Sequence, residues 1–397
     1  MNIQIKAYPA KNGDSFLVSY GLEESKHILI DCGYTDTFEN YIKNDLLAIS
    51  ERGECLEKLI ITHIDSDHIW GSIKLFKENN EKQIVKIKEV WHNSFRHLFG
   101  FDFQEKDNKK EHLLKKVIQR GYRQNIEKQG VNDISAEQGT TVGALLLKGN
   151  YSWNSDFNNQ AVSIENGEFI ELDNGTKIHL LSPDHTKLQK LRNLWKDELQ
   201  KFGTPLNFDK KESDLFDDAF EMLMSWEREN IKTVGIPISK SNRNIEELIT
   251  ITFDEDKTAT NGSSIAFILQ IEETKMLFLG DSHPSLIFNS LSKIISEKLV
   301  FFDLIKVSHH GSFNNINKDL LSKIDSTRYL FSTNGKSHNH PDQATIAHIV
   351  SRKTEFKREL FFNYKTENSE YFNREDWMQK FNYIVRYLDK EPYSIKL

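Results

Sequence analysis

Between positions 62 and 71 the chain reads THIDSDHIWG, which places His63, Asp65, Asp67 and His68 within six residues. Imidazole nitrogens and carboxylate oxygens are ligands of zinc, manganese and iron, and two such ions can share a carboxylate. A polar cap ahead of a helix needs one such side chain, not four. Two further segments carry the same chemistry: Asp281 after KMLFLG, and His309 with His310 after DLIKV. A Gly-Asp or a His-His-Gly alone reads as an ordinary turn. The three segments together point to bound metal.

Such residues need a scaffold that gathers strand ends, where α/β folds present reactive side chains on loops held by a rigid sheet. The apolar run LEKLII leads straight into the first segment. Upstream, NIQIKAY, SFLVSY and HILI read as short strands, and AKNGDS carries the Asn-Gly signal of a tight hairpin. Trp70 is expected to pack under the His/Asp loop, and Gly71 to let the following helix approach the sheet. Strands resume at IKEVWH, at EFIELDNGTKIHLLSP with a second Asn-Gly turn, and from SSIAFILQI through RYLFSTNG. This succession of strands and crossover helices predicts an α/β fold.

Two long segments interrupt it. Residues 96–165 include KKEHLLKKVIQRGYRQNIEKQG, whose apolar positions Leu114, Val117, Ile118, Tyr122 and Ile126 mark one face of a basic helix. Residues 186–258 are helical and acidic, with ESDLFDDAFE at their centre. Both read as insertions into a single domain spanning 1–397.

A formal charge of −7 gives no general attraction to nucleic acid or membrane, so such a partner would need a local basic patch. Cys32 and Cys55 make no disulfide framework and fit a reducing compartment. With no apolar leader and no run of about 18 apolar residues, the expectation is a cytoplasmic protein without a membrane partner.

H-x-D-x-D-H, a late G-D and H-H-G-S together resemble the metallo-β-lactamase superfamily, whose usual first motif is H-x-H-x-D-H. The nearest branch is the hydrolase domain of ComEC-type competence proteins. That branch is matched here by NGSS at 261–264, FLGD at 278–281 and KVSHHGS at 306–312. ILIDCG at 28–33 resembles the family's early strand ending in Asp, and SHNHPD at 337–342 its late His-Pro segment. The likeness covers roughly the first 92 and last 140 residues.

The resemblance implies an αββα sandwich with two divalent ions, Zn²⁺ or Mn²⁺, at one edge. His63 and Asp65 would serve the first ion, Asp67 and His68 the second, with Asp281 bridging. His309 or His310 would close the second site, His309 being nearer the strand end. Asp31 would support the metal loop. Asp14 reads as a plain turn residue, although the resemblance would turn it toward the metal edge. Asp65 stands where the superfamily has a second histidine, and the extra carboxylate relaxes the preference for Zn²⁺ and admits Mn²⁺. The family's separate third-motif histidine has no assignable counterpart, with His92 and His185 as candidates.

The expected reaction is hydrolysis by water activated between two ions, with Asp67 orienting that water and His340 donating a proton. Asn261, Ser263 and Ser264 are candidate substrate contacts. A two-ion site suits phosphodiesters, and the ComEC-type resemblance points to nuclease activity on DNA or RNA. Residues 105–130 hold eight Lys or Arg against four Asp or Glu, a mixture that can track a nucleic-acid backbone. Two other readings stay open. One keeps the site but hydrolyses a lactone, thioester or phosphocholine ester. In the other, the chain is a subunit of a bacterial multi-protein system, such as a defence system, gated by protein partners docking on 96–165 or 186–258.

Overall fold

A computed structural model describes residues 2–22, 24–99, 141–173, 175–201, 220–221 and 243–397. The basic helix expected within 105–130 lies outside the described residues, as does most of ESDLFDDAFE. In chain order the strands are β1 (Asn2–Ala7), β2 (Phe16–Gly21), β3 (Lys26–Ile30), β4 (Leu56–Ile60) and β5 (Val90–Trp91). Next come β6 (Phe169–Asp173), β7 (Thr176–Ser182), β8 (Ala266–Ile271), β9 (Thr274–Phe278), β10 (Val300–Phe302) and β11 (Leu304–Lys306). The last are β12 (Ile324–Ser326), β13 (Arg328–Phe331), β14 (Arg358–Phe362), β15 (Tyr383–Tyr387) and β16 (Ser394–Lys396).

They form a six-stranded sheet ordered β16-β1-β2-β3-β4-β5 and an eight-stranded sheet ordered β15-β14-β13-β11-β9-β8-β7-β6, with β10 and β12 paired separately. In each sheet an antiparallel half meets a parallel half, at β3 in the first and β9 in the second. Parallel strands are buried on both faces, and the sequence obeys this. In β3, Ile28 and Ile30 pack between the sheets while Leu29 faces helices; in β9, Met276 and Phe278 point inward and Leu277 outward.

The outer layer over the first sheet comes from α1 (Lys43–Glu51), α2 (Ser66–Lys82), α3 (Val142–Lys148) and α4 (His185–Lys201), through Leu46, Phe76, Leu145 and Trp195. Over the second sheet lie α5 (Pro284–Ile294), α6 (Lys318–Lys323) and α7 (Gln343–Val350), through Ile287, Leu320 and Ile346. The result is the helix–sheet–sheet–helix sandwich. No helix among the described residues is long and apolar enough to cross a membrane.

Residues 141–165, assigned from sequence to the first insertion, are woven into this body. Helix α3 packs on α2, and Trp153 bridges to Val90 of β5. At the start of α2, Gly71 donates its amide to Gly33, and a Cβ on it would lie 2.1 Å from the carbonyl oxygen of Cys32. Close approach of helix to sheet therefore requires glycine there. Trp70 sits half-buried, edge-on to Tyr34.

The two Asn-Gly signals part company. Gly175 takes φ +107 inside the tight β6–β7 hairpin, as expected. Asn12-Gly13 instead belongs to an eight-residue loop, 8–15, in which Lys11 is the left-handed residue. Gly13 is needed for a different reason, which lies in the site.

Candidate metal centre

The carboxyl ends of β3, β4, β9, β11 and β13 converge at one edge of the sandwich. Asp31, left-handed at φ 53, ends β3 and binds the next strand's loop, accepting from the Thr62 amide and hydroxyl at 2.7 Å each. It also accepts from Nδ1 of His68 at 2.8 Å. Asp65 caps α2, and the first turn of that helix carries Asp67 and His68. The segment 309–311 is left-handed at three consecutive residues, with φ 44, 55 and 90. Two non-glycine residues in that region cost about 1–3 kcal/mol each, and the turn directs both His309 and His310 into the site.

Asp281 is the hub. The Nε2 atoms of His63, His68, His309 and His310 each lie 3.7 Å from one of its carboxylate oxygens. His63 Nε2 is also 3.2 Å from Asp65, and His310 Nε2 3.4 Å from Asp67. All these residues except Asp67 and His309 are buried.

Nδ1 of each ring is tied back. In His310 it reaches the Ser332 carbonyl at 2.9 Å, which can only accept. In His309 it reaches Asn315 Oδ1 at 2.8 Å, and the Asn315 amide nitrogen already donates to Asp256 and to the Asp281 carbonyl. In His63 it meets the Thr62 hydroxyl at 3.0 Å, whose proton goes to Asp31. With Nδ1 the donor in His68, His309 and His310, the neutral ring keeps its lone pair on Nε2.

In their neutral state these rings would set buried acceptors against a buried carboxylate, so the site calls for positive charge, a proton or a cation. His68 Nε2 and Asp281 Oδ1 have no hydrogen-bond partner among the described residues, a costly state unless positive charge enters. The titration of the site expresses the same demand. Burial depresses His68 and His310, but the surrounding carboxylates outweigh it and raise them to about 10 and about 9. Asp281 is held well below the usual carboxylate range, against burial, by the four imidazoles. Burial dominates at His309 and lowers it to about 4, so that ring is neutral. Among the described residues two donor groups are close enough to hold an ion, one of His63, Asp65 and Asp281, the other of Asp14, His68, Asp281 and His310. The residues present fit divalent cations.

Of the residues expected from sequence, His63, Asp65, Asp67, His68, Asp281, His309 and His310 are brought together. His310, rather than His309, touches the Asp67 side. His340 lies on the rim, its ring 5.6 Å from that of His309 and its Nδ1 3.4 Å from Asp342. Asn261, Ser263 and Ser264 are buried and occupied within the protein. Asn261 donates to Asp256, Ser263 to the Thr260 carbonyl, and Ser264 accepts the Asp281 amide. The third-motif candidates are engaged elsewhere: His92 Nε2 is 3.1 Å from Glu221, and exposed His185 is 3.8 Å from Glu165.

Asp14, read from sequence as a turn residue, is fully buried at the site, paired with Lys306 and 3.3 Å from His310 Nδ1. Despite burial, Lys306 and His310 lower it to about 2. A lone Asp in a polar loop carries no signal of this by itself; only the family resemblance turned it toward the metal edge. Gly13 beside it permits the close approach, since its Cβ would stand 1.9 Å from the carbonyl oxygen of Asp67. Gly13→Ala is expected to push the two loops apart, lowering stability by about 1–3 kcal/mol and metal retention with it. The urea midpoint and the metal content of the same preparation check this. Asp31→Asn removes a carboxylate from His68 Nδ1, and a 10–100-fold weaker ion affinity is expected, measured by titration against a competing chelator.

Residues 8–144 match the family model of the metallo-beta-lactamase superfamily. The matched span holds Asp14, Asp31 and His63 to His68 and stops short of Asp281, His309 and His310. No curated protein matches the chain.

Proposed function

We propose that the protein is a metal-dependent phosphodiesterase, and specifically a nuclease acting on DNA or RNA. The observation that carries this is the ring of four imidazole Nε2 atoms around the Asp281 carboxylate, each 3.7 Å away. Two donor groups sharing Asp281 suit a pair of ions. When bound, two divalent ions neutralise charge on an attacked phosphoryl group and lower the pKa of water.

The chain's own residues set the rest. Asp281 bridges the donor groups, and Asp67, held by Asn12 at 3.0 Å, is placed to orient a water. His340 turns Nδ1 toward Asp342, which leaves Nε2 as the atom to exchange a proton with a leaving oxygen. His338 stands beyond it, ring to ring at 5.8 Å, so imidazoles line the way from Asp281 to the exposed rim. Such a row offers hydrogen bonds to an anionic ester. The excess of Lys and Arg in 105–130 adds a backbone-tracking charge.

The test is turnover of single- and double-stranded DNA, RNA and bis(p-nitrophenyl) phosphate by the purified full chain with Mn²⁺ or Zn²⁺. Cleavage that stops with chelator and with His68→Ala is expected. Turnover confined to lactones or thioesters would sink the phosphodiester reading.

A further inference from the structure

Helix α4 brings a second set of charged groups to the edge that holds the metal centre. Strands β7 and β9 are both antiparallel to β8 and so run the same way, which puts the carboxyl end of β7 at the same edge as that of β9, where Asp281 stands. The chain leaves β7 at Ser182 and enters α4 at His185. Leu188, Leu191 and Trp195 anchor the inner face of this helix in the core. Lys187 is left half-buried and Lys190 exposed, three residues apart and therefore neighbours on one face.

Lys187 donates from Nζ to Nδ1 of buried His283 at 2.6 Å. Glycine permits the approach: a Cβ on Gly262 would lie 2.9 Å from His283 Cε1 and 3.2 Å from Lys187 Cδ. That gives a task to the glycine of NGSS, which the metal centre leaves without one. The ion pairs of this corner join His185 to Glu165, Lys257 to Asp254 and His283 to Asp256, and among the described residues none involves Lys187 or Lys190. The acids around Lys187 are turned to backbone amides: Asp184 to that of Lys187 at 2.7 Å, Glu255 to Ser285 at 2.9 Å and Asp256 to Thr258 at 2.8 Å. Burial and then Lys190 lower the Lys187 ammonium below its ordinary range. A half-buried cation bonded to an imidazole rather than a carboxylate is held against both desolvation and like charge, and an anion relieves both. Asp256 ties this corner to the centre, its Oδ2 standing 3.9 Å from His283 Nε2 and 3.7 Å from His309 Nδ1. His309 is not buried, so the two lysines flank an open side of the centre.

We propose that Lys187 and Lys190, with His283 as the positioning residue of Lys187, form a phosphate-binding subsite on the His309 flank of the metal centre. The subsite takes the phosphate next to the one attacked, so the substrate is a strand of several phosphodiesters and not an isolated ester. This rests on the phosphodiesterase reading above and narrows it. Backbone-tracking charge then lies on α4, beside the centre, in addition to 105–130.

The experiment is binding of fluorescein-labelled single-stranded DNA and RNA to the full chain across a range of salt, with Ca²⁺ in place of Mn²⁺ or Zn²⁺ and the strand checked for cleavage. Lys187→Gln combined with Lys190→Gln should weaken binding roughly 10-fold or more at low salt. It should also make the slope of log affinity against log salt shallower by about 1.4, the value for two lost single-strand contacts. Lys353→Gln with Lys357→Gln removes the same charge from exposed positions ahead of β14, at the opposite edge of the sandwich, and should leave affinity and slope as in wild type. In turnover with Mn²⁺, the Lys187/Lys190 variant should lose roughly 10-fold more kcat/KM on the strand than on bis(p-nitrophenyl) phosphate, which has a single phosphate. Wild-type affinity and slope in that variant, a change matched by the Lys353/Lys357 control, or equal losses on strand and small ester would each overturn the subsite and leave the phosphodiesterase reading standing. A wild type that turns over bis(p-nitrophenyl) phosphate but neither binds nor cleaves a strand would overturn the subsite and the nuclease reading together.

Discussion

Asp281→Ala should abolish ion uptake and lower metal-dependent hydrolysis by roughly 10³-fold or more, the rate equivalent of about 4 kcal/mol of lost charge stabilisation. The size follows from position. All four imidazoles face the Asp281 carboxylate, so both donor groups lose their shared member at once. The fold should survive, because the Asp281 backbone is held independently: its amide by Ser264 and its carbonyl by Asn315. Metal analysis and a phosphodiester assay on the folded variant check this. Retention of two ions would show that the hub is elsewhere.

The largest effect on stability is expected at the opposite end of β13. Asp325 accepts from Arg358 at 2.6 and 3.1 Å, from Arg352 at 2.9 Å and from the Tyr329 hydroxyl at 2.9 Å. Arg358 is fully buried. Asp325→Ala leaves that guanidinium without its counter-charge, and breaking a buried pair in this way costs about 3–5 kcal/mol. Burial pushes the Asp325 carboxyl up, but Arg358 and Arg352 outweigh it and hold the group below its ordinary value of 3.8. The folded pKa lies below the unfolded one, so this contribution is whole above the ordinary carboxylate range. It is lost as pH falls through the lowered value. Urea unfolding of wild type and variant at pH 7 should therefore differ widely, and the difference should shrink toward pH 3. Ion uptake at low temperature should be unchanged.

The legible part of the site was local in sequence. His63, Asp65, Asp67 and His68 declare themselves by spacing within one loop, and Asp281 and the histidine pair by following apolar strands. Asp14, Asp256 and Asn315 stand alone in polar loops and become neighbours of the site only through the sheet order. Asn261 and Ser264 were visible as a motif, but their task inside the protein depends on His309 and Asp281 arriving beside them. The strands through β13, short β10 and β12 excepted, were readable from apolar runs. Strands β14 to β16 were not, since RELFF, YIVRY and SIK mix charge with short apolar stretches. Residues 142–148 read as part of an insertion because nothing in VGALLLK says which face of the body it covers.

The pairing of β16 with β1 joins residues 394–396 to residues 4–6. On the ribosome, where the amino-terminal half emerges first, β1 would wait with an open edge until residues 394–396 had been made. A clone cut to the family-matched span, 8–144, would lose β1 as well and leave β2 as a bare edge facing other chains, a route to aggregates. Attempts to isolate the first half as a minimal module should therefore yield insoluble material, and co-expressing the remainder should rescue it.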